Sequence, residues 1–298
     1  MTRYLLLGAS GFLGRHVGDR LAAEAGAEVV TAGRAAPGGD RPHLRVDLAA
    51  VDADRLAGAL AEVAPDVVVN ATGAVGGAPA ALAALNVTAV STLAAALSRV
   101  DRPARLVHLG SAGEYGLVER GRPVTETTPP HPVGGYGLSK LAGTEVLRLA
   151  RETGLDVVVL RVFNPIGPGV PASSLLGRLV EQARAAEIRL GPLGDYRDFV
   201  DARDVADAVV AAATAPRPPW LLNIASGRAR TARELVTRFL EIVGSTAPVL
   251  EAEPGSDRSA QVPWQQADIS LAARTLGWRP RRDLDTTLAD VWAAVCVR

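Results

Sequence analysis

Three residue types are nearly missing from this 298-residue chain: it has one cysteine, one lysine and one methionine, and its aromatic residues make up only 4%. A lone thiol, Cys296, cannot close an internal disulfide or build a cysteine-rich metal site, which suits a reducing cytoplasm and leads us to expect no metal. No charge of one sign predominates either, with 32 Lys plus Arg against 32 Asp plus Glu and no run of five or six like charges. Such a chain offers no electrostatic footprint for nucleic acid or an anionic membrane, so small-molecule partners are expected. Long apolar runs are also lacking. Residues 67–98 contain no Asp, Glu, Lys, Arg or His, but Asn70, Gly73, Gly76, Gly77, Pro79 and Asn86 interrupt them. No window of about 20 residues is continuously apolar as a membrane helix requires. The apolar start Tyr4-Leu5-Leu6-Leu7 stops at Gly8, far short of a signal-peptide core, and no export is expected.

The scarcity of lysine carries information of its own. Arginine supplies nearly all the positive charge, and Lys140 is the single exception. Arginine cannot replace a compact ammonium of tunable pKa, so the one lysine in an arginine-rich chain is a candidate for chemistry. Tyrosine, at positions 4, 115, 136 and 196, is nearly as rare. A tyrosine would fall four positions ahead of that lysine in about 1% of random placements, yet Tyr136 does so.

Short apolar runs at 3–7, 28–32, 43–46, 66–70, 104–109 and 156–161 read as strands, several of them apolar on both faces. Helical patterns at 12–25, 52–63, 80–100 and 136–153 alternate with them. This alternation predicts an α/β fold, a Rossmann-type doubly wound parallel sheet covered on both sides. After Phe163 the breakers Pro165, Gly167, Pro168, Gly169 and Pro171 precede helices expected at 173–186, 203–213, 231–243, 270–276 and 284–295 and a short strand at 220–224. We therefore expect a cofactor-binding domain made of residues 1–165 and about 198–226. A smaller, discontinuous α/β substrate domain would comprise about 166–197 and 227–298.

The first strand runs into Gly8-Ala9-Ser10-Gly11-Phe12-Leu13-Gly14 at the opening of a helix. Glycines there let backbone approach a pyrophosphate, and the helix N-terminus supplies free N–H groups and a positive dipole end. The turn is a dinucleotide-binding candidate. The second strand ends Thr31-Ala32-Gly33-Arg34, without the carboxylate that would accept from the ribose 2′-OH of NAD. Arg34 suits a 2′-phosphate, so NADP(H) is expected ahead of NAD(H). Tyr136 and Lys140 share one face of a predicted helix, where an ammonium beside a phenol stabilises phenolate and suits the tyrosine to proton exchange with an alcohol or ketone.

The glycine pattern, the Tyr136/Lys140 pair and Ser111, 25 residues before the tyrosine, resemble the short-chain dehydrogenase/reductase superfamily in its extended branch, the epimerase/dehydratase family. The resemblance extends through Asp47-Leu48, Asn70-Ala71-Thr72-Gly73, Arg197-Asp198-Phe199 with Asp204-Val205-Ala206, Asn223-Ile224-Ala225-Ser226-Gly227, Ala267-Asp268 and Leu276-Gly277-Trp278. It implies that Ser111 hydrogen-bonds the reacting oxygen, that Tyr136 is the acid/base, and that Lys140 holds the ribose and lowers the tyrosine pKa. It further implies cofactor contacts from Gly8, Ser10, Gly11, Phe12, Leu13, Gly14, Arg34, Asp47, Leu48, Ala71, Thr72, Gly73, Asn86, Tyr136 and Lys140. A nucleotide-diphosphate sugar would meet Ser111, Ala112, Asn164, Arg197 and Arg258. A homodimer through the helices at 80–100 and 136–153 is implied as well.

Sugar 4,6-dehydratases of the family carry an additional acid two residues before the Tyr-Gly pair, where this chain has Gly113. Glu114 comes one residue later and, in a continuing strand, would point to the opposite face. The motifs around Glu114-Tyr115-Gly116, Phe163-Asn164 and Leu190-Gly191-Pro192-Leu193 resemble those of GDP-4-keto-6-deoxy-D-mannose reductases, with departures at Pro165 and Val170. The reaction expected is NADPH-dependent reduction of the 4-keto group of a nucleotide-linked 4-keto-6-deoxyhexose. A 4-epimerase with tightly bound NAD is the alternative, ahead of a dehydratase or a non-catalytic NAD(P)-binding sensor.

Overall fold

A computed structural model describes residues 1–254 and 262–296. Its helices are α1 (Phe12–Ala22), α2 (Ala53–Val63), α3 (Pro79–Ala83), α4 (Ala89–Leu97), α5 (Gly134–Glu152), α6 (Leu175–Gln182), α7 (Ala202–Thr214), α8 (Ala232–Val243), α9 (Ser270–Leu276) and α10 (Leu284–Cys296). Strands β1 (Thr2–Leu7), β2 (Ala27–Gly33), β3 (His43–Arg45), β4 (Val67–Asn70), β5 (Arg105–Ser111) and β6 (Val157–Val162) form one sheet with a further strand, Leu221–Ile224. From one edge the order is Leu221–Ile224, β6, β5, β4, β1, β2, β3, and every pairing is parallel. This is the expected doubly wound sheet.

The continuous apolar strands have the predicted cause. Leu6, Val69 and Val107 face one way and pack with Val17 and Leu21 of α1 and Val205 and Val209 of α7. Their neighbours Leu5, Val68 and Leu106 face the other way, against Leu56 and Leu60 of α2, Leu93 of α4 and Leu147 of α5. Fully burying such a side chain contributes about 1.5–3 kcal/mol, so the two covers together anchor the sheet. After β1 the chain winds outward to β2 and β3, then crosses back to β4 on the other side, with Leu7 and Asn70 paired in register. That reversal opens a crevice at the carboxyl ends of β1 and β4, where open α/β sheets bind ligands.

Local signals set the helix ends. Asp52, expected as the first residue of α2, is instead its cap and accepts the Arg55 N–H at 2.8 Å. Ser174 likewise caps α6 by accepting from Gly177, so the helix expected at 173–186 is shorter. Pro79–Leu97 is apolar and long enough to pass as a membrane span by length and composition. Its Leu82, Asn86, Val90, Leu93 and Leu97 are buried in this fold, and α3 and α4 are joined by a π turn at Ala84–Thr88.

A third core sits apart from the sheet, where Leu176 and Leu179 of α6, Leu235 and Phe239 of α8, and Leu288 and Val291 of α10 gather. Short pairs brace this part: Ile188–Leu190 with Val249–Glu251 and Tyr196–Asp198 with Ala229–Thr231. Asp198 ties three segments together, accepting from Ser226 N at 2.8 Å, Gly227 N at 3.0 Å and Ala267 N at 3.1 Å.

Candidate active site

The glycine turn lies at the crevice. Gly8 has φ +82°, and a Cβ there would come within 2.8 Å of the Ala71 carbonyl carbon, so β1 and the segment after β4 touch backbone to backbone. A Cβ on Gly14 would stand 1.9 Å from the Gly8 carbonyl oxygen, and glycine is what lets α1 start directly on the strand. Gly11 caps α1 with no side-chain hydrogen bond, leaving the first N–H groups and the positive dipole end directed to the crevice. Ser10 and Gly11 are exposed, Phe12 half-buried against His16, and Leu13 packs on the core. A side-chain-free cradle over an uncapped helix start fits a dinucleotide pyrophosphate.

The other expected cofactor residues fall into two groups. Arg34 is exposed just beyond β2 and makes no ion pair among the described residues, and Ala71, Thr72 and Gly73 follow β4 at the crevice. Asp47 is exposed, its carboxylate accepting the Ala49 N–H at 3.0 Å. The side chain of Leu48, by contrast, is buried in the core with Leu56 and Leu60. Asn86 is also turned inward: its Nδ2 donates to the Ala74 carbonyl and Ser139 Oγ, both at 2.9 Å, while its oxygen accepts Ala74 N–H at 3.0 Å. Asn86 therefore shapes the Gly73-Ala74 loop and ties it to α5.

Ser111 ends β5 and caps a 3₁₀ turn, Ala112–Glu114, its Oγ accepting the Gly113 N–H at 3.1 Å. A Cβ on Gly113 would meet both Ser111 Oγ and Tyr136 Cε1 at 3.3 Å. The serine hydroxyl and the tyrosine ring thus flank one small residue. Gly137 completes the approach, since a Cβ there would lie 2.4 Å from the Gly113 carbonyl oxygen, so α5 seats directly on the turn. One helical turn beyond Tyr136, Lys140 is buried and donates from Nζ to the Leu109 carbonyl at 2.7 Å. Burial pushes its pKa down to about 8, against the opposing pull of the Glu114 charge.

The segment after Ser111 is a 3₁₀ turn and not a continuation of the strand, yet Glu114 still leaves the Ser111 hydroxyl side, its Oε1 lying 2.8 Å from where a Cβ on Gly110 would stand. It is fully buried, accepts Ser111 N–H on Oε1 at 2.8 Å and Arg161 Nε–H on Oε2 at 2.8 Å, and so holds the serine backbone. The Arg161 guanidinium lies over the Tyr115 ring at 4.5 Å. Sequence reasoning assigned no role to Arg161, Gln265 or His108. Gln265 donates to the Ala112 carbonyl at 3.3 Å and accepts from Asn164 Nδ2 at 3.2 Å, linking the serine turn to the Asn164 loop. Asn164 itself has φ +22°. Arg197 is buried on the neighbouring strand, donating to Asp195 Oδ2 at 3.0 Å and the Tyr196 carbonyl at 2.8 Å. Arg258 lies outside the described residues. The structure thus gathers Ser111, Ala112, Tyr136 and Lys140, with Asn164 joined through Gln265.

Residues 4–225 match the model of the NAD dependent epimerase/dehydratase family. The chain is 39% identical over 304 residues to the dTDP-6-deoxy-L-talose 4-dehydrogenase (NAD(P)(+)) of Kitasatospora kifunensis, covering 98% of this chain and 95% of the relative. It is 28% identical over 300 residues to the GDP-6-deoxy-D-mannose reductase of Pseudomonas aeruginosa, covering 96% and 94%. Among solved structures, MoeE5 in complex with UDP-glucose and NAD superposes with a TM-score of 0.85 at 26% identity, covering 100% of this chain and 99% of that one.

Proposed function

Since the chain belongs to the NAD dependent epimerase/dehydratase family and is an NAD(P)-dependent enzyme of nucleotide-sugar metabolism, we propose that it reduces the 4-keto group of a nucleotide-diphosphate 4-keto-6-deoxyhexose, with NADPH preferred. The observation that carries this reading is the convergence of Ser111 and the Tyr136 ring on Gly113, with the Lys140 amine buried behind them. A relative 39% identical bears the name of a 6-deoxyhexose 4-dehydrogenase, which is this redox step in the opposite direction.

The residues divide the work. When bound, the reduced nicotinamide supplies the hydride that C4 receives. The cradle of Gly8, Gly11 and Gly14 would hold the pyrophosphate, and Arg34 the 2′-phosphate. Ser111 Oγ donates a hydrogen bond to the C4 oxygen, and Tyr136 gives that oxygen its proton. Lys140, as the ammonium, lowers the cost of the phenolate left behind. Removal of water to form a 4,6-dehydrated sugar needs a further acid/base at the site; Glu114, the nearest carboxylate in sequence, is committed to Ser111 N–H and Arg161.

A 4-epimerase using tightly bound NAD is the second reading, favoured by the NAD and UDP-glucose bound to MoeE5. Denaturing the purified protein and analysing released nucleotide, followed by parallel titration with NADPH and NADH, separates the two. Exchangeable cofactor with NADPH bound more tightly, and a loss of that preference in Arg34→Ala, is the expected result. Stoichiometric, non-exchanging NAD would put the epimerase first.

A further inference from the structure

Strands β4 and β5 are apolar on both faces, yet each carries one wholly buried polar side chain at the same level: Asn70 and His108 are register partners, each 1% exposed. Such groups must be paired within the protein. The direction of their hydrogen bonds can be traced from Thr72. Its backbone N–H can only donate, so the Asn70 atom facing it at 3.0 Å is the side-chain oxygen, which also takes the Thr72 hydroxyl at 2.6 Å. The Asn70 amide N–H therefore donates to His108 Nδ1 at 3.1 Å. A neutral imidazole holds one hydrogen, and with Nδ1 accepting it must sit on Nε2. Burial, reinforced by Lys140, keeps this imidazole neutral.

His108 Nε2 lies 3.4 Å from Lys140 Nζ. An ammonium has no acceptor to offer an N–H, whereas a neutral amine has a lone pair. We propose that His108, oriented by Asn70, is a positioning residue that tunes the proton affinity of Lys140: its Nε2–H faces Nζ and weakens the hold of the amine on its proton, so that the ammonium beside Tyr136 titrates at a lower pH than it would without the histidine. The inference rests on the reading of Lys140 as the partner of Tyr136. The other groups around Lys140 act differently. Glu114, from the turn after β5, favours the ammonium but is paired at 2.8 Å with Arg161 of β6; Tyr136 stands on the same helix, and the Asn86–Ser139 pair beside it is uncharged.

Because Lys140 is the only lysine, protein grown with ¹³C,¹⁵N-lysine gives a single side-chain signal. Its titration can be followed without substrate or cofactor. The ¹⁵N spectrum of labelled histidine should place the His108 hydrogen on Nε2. His108→Leu should raise the lysine midpoint by roughly one pH unit, a tenfold gain in proton affinity. Asn70→Asp, which can only accept, should move the His108 hydrogen to Nδ1, leave Nε2 to accept from the ammonium, and raise the midpoint as well. A wild-type hydrogen on Nδ1, or an unchanged midpoint in either folded variant, would overturn the proposal. Should His108→Leu fail to fold, the wild-type tautomer and Asn70→Asp still decide it. Shifted midpoints in an enzyme that reduces no 4-ketosugar would support the role of His108 while refuting the proposed reaction; unmoved midpoints in an active reductase would do the reverse.

Discussion

Glu114→Gln preserves the shape of the turn after Ser111 but not its hydrogen bonds. The carboxylate serves two buried donors, Ser111 N–H at 2.8 Å and Arg161 Nε–H at 2.8 Å. A carboxamide has one oxygen, so whichever donor keeps it, the NH₂ group confronts the other. If Ser111 keeps the oxygen, Arg161, with its side chain only 4% exposed, loses its carboxylate partner. Removing one member of a buried ion pair costs about 3–5 kcal/mol, and the surviving hydrogen bond returns about 1 kcal/mol, leaving a destabilisation of about 2–4 kcal/mol. At about 2–4 °C per kcal/mol for a chain approaching this size, calorimetry should find Tm lowered by about 4–16 °C. Activity assayed well below that transition adds a second reading: if Arg161 keeps the oxygen, the Ser111 backbone loses its anchor and kcat falls more than KM rises. A Tm within about 1 °C of the wild type, with unchanged kcat, would refute the view that this pair fixes the serine.

Tyr136→Phe should lower ketosugar turnover by about 10²–10⁴ while NADPH affinity stays near wild type; activity within a few-fold would remove the tyrosine as proton donor. Gly14→Ala places a Cβ 1.9 Å from the Gly8 carbonyl oxygen, so the first turn of α1 must move off β1, and calorimetric titration should find NADPH binding lost or severely weakened. Wild-type affinity there would contradict the cradle. Burial raises the Asp198 carboxyl from 3.8 to about 6, against the hydrogen bonds it accepts. A folded pKa above the unfolded value means its protonation stabilises the fold fully below the unfolded value, and that contribution is lost as pH rises through about 6. Urea midpoints should therefore show the wild type declining relative to Asp198→Asn across that interval, and parallel curves would refute the assignment.

Much of this was legible because the sheet is buried on both sides. Strands such as β4 and β6 are apolar at every position but Asn70 and Arg161, and this set them apart from the amphipathic helices between them. The rarity of lysine and tyrosine isolated Tyr136 and Lys140 before any geometry was known. The partners of those residues were harder to see. His108 and Asn70 did leave a signal, since a polar side chain inside a doubly covered strand requires a buried partner, but not which one. Gln265 left none: it reaches the Ala112 carbonyl from a segment 153 residues away. The π turn at Ala84–Thr88 was also invisible within the helical pattern at 80–100, because the bonds of Asn86 to Ala74 and Ser139 that accompany it are tertiary.

The reaction itself is tested most directly by mixing the purified protein with NADPH and a nucleotide-diphosphate 4-keto-6-deoxyhexose, then following cofactor oxidation and the sugar formed. For a 4-ketoreductase, one NADPH should be oxidised for each 4-keto group converted to an alcohol. Interconversion of C4 epimers with no net consumption of NADPH, accompanied by stoichiometric NAD released on denaturation, would contradict it.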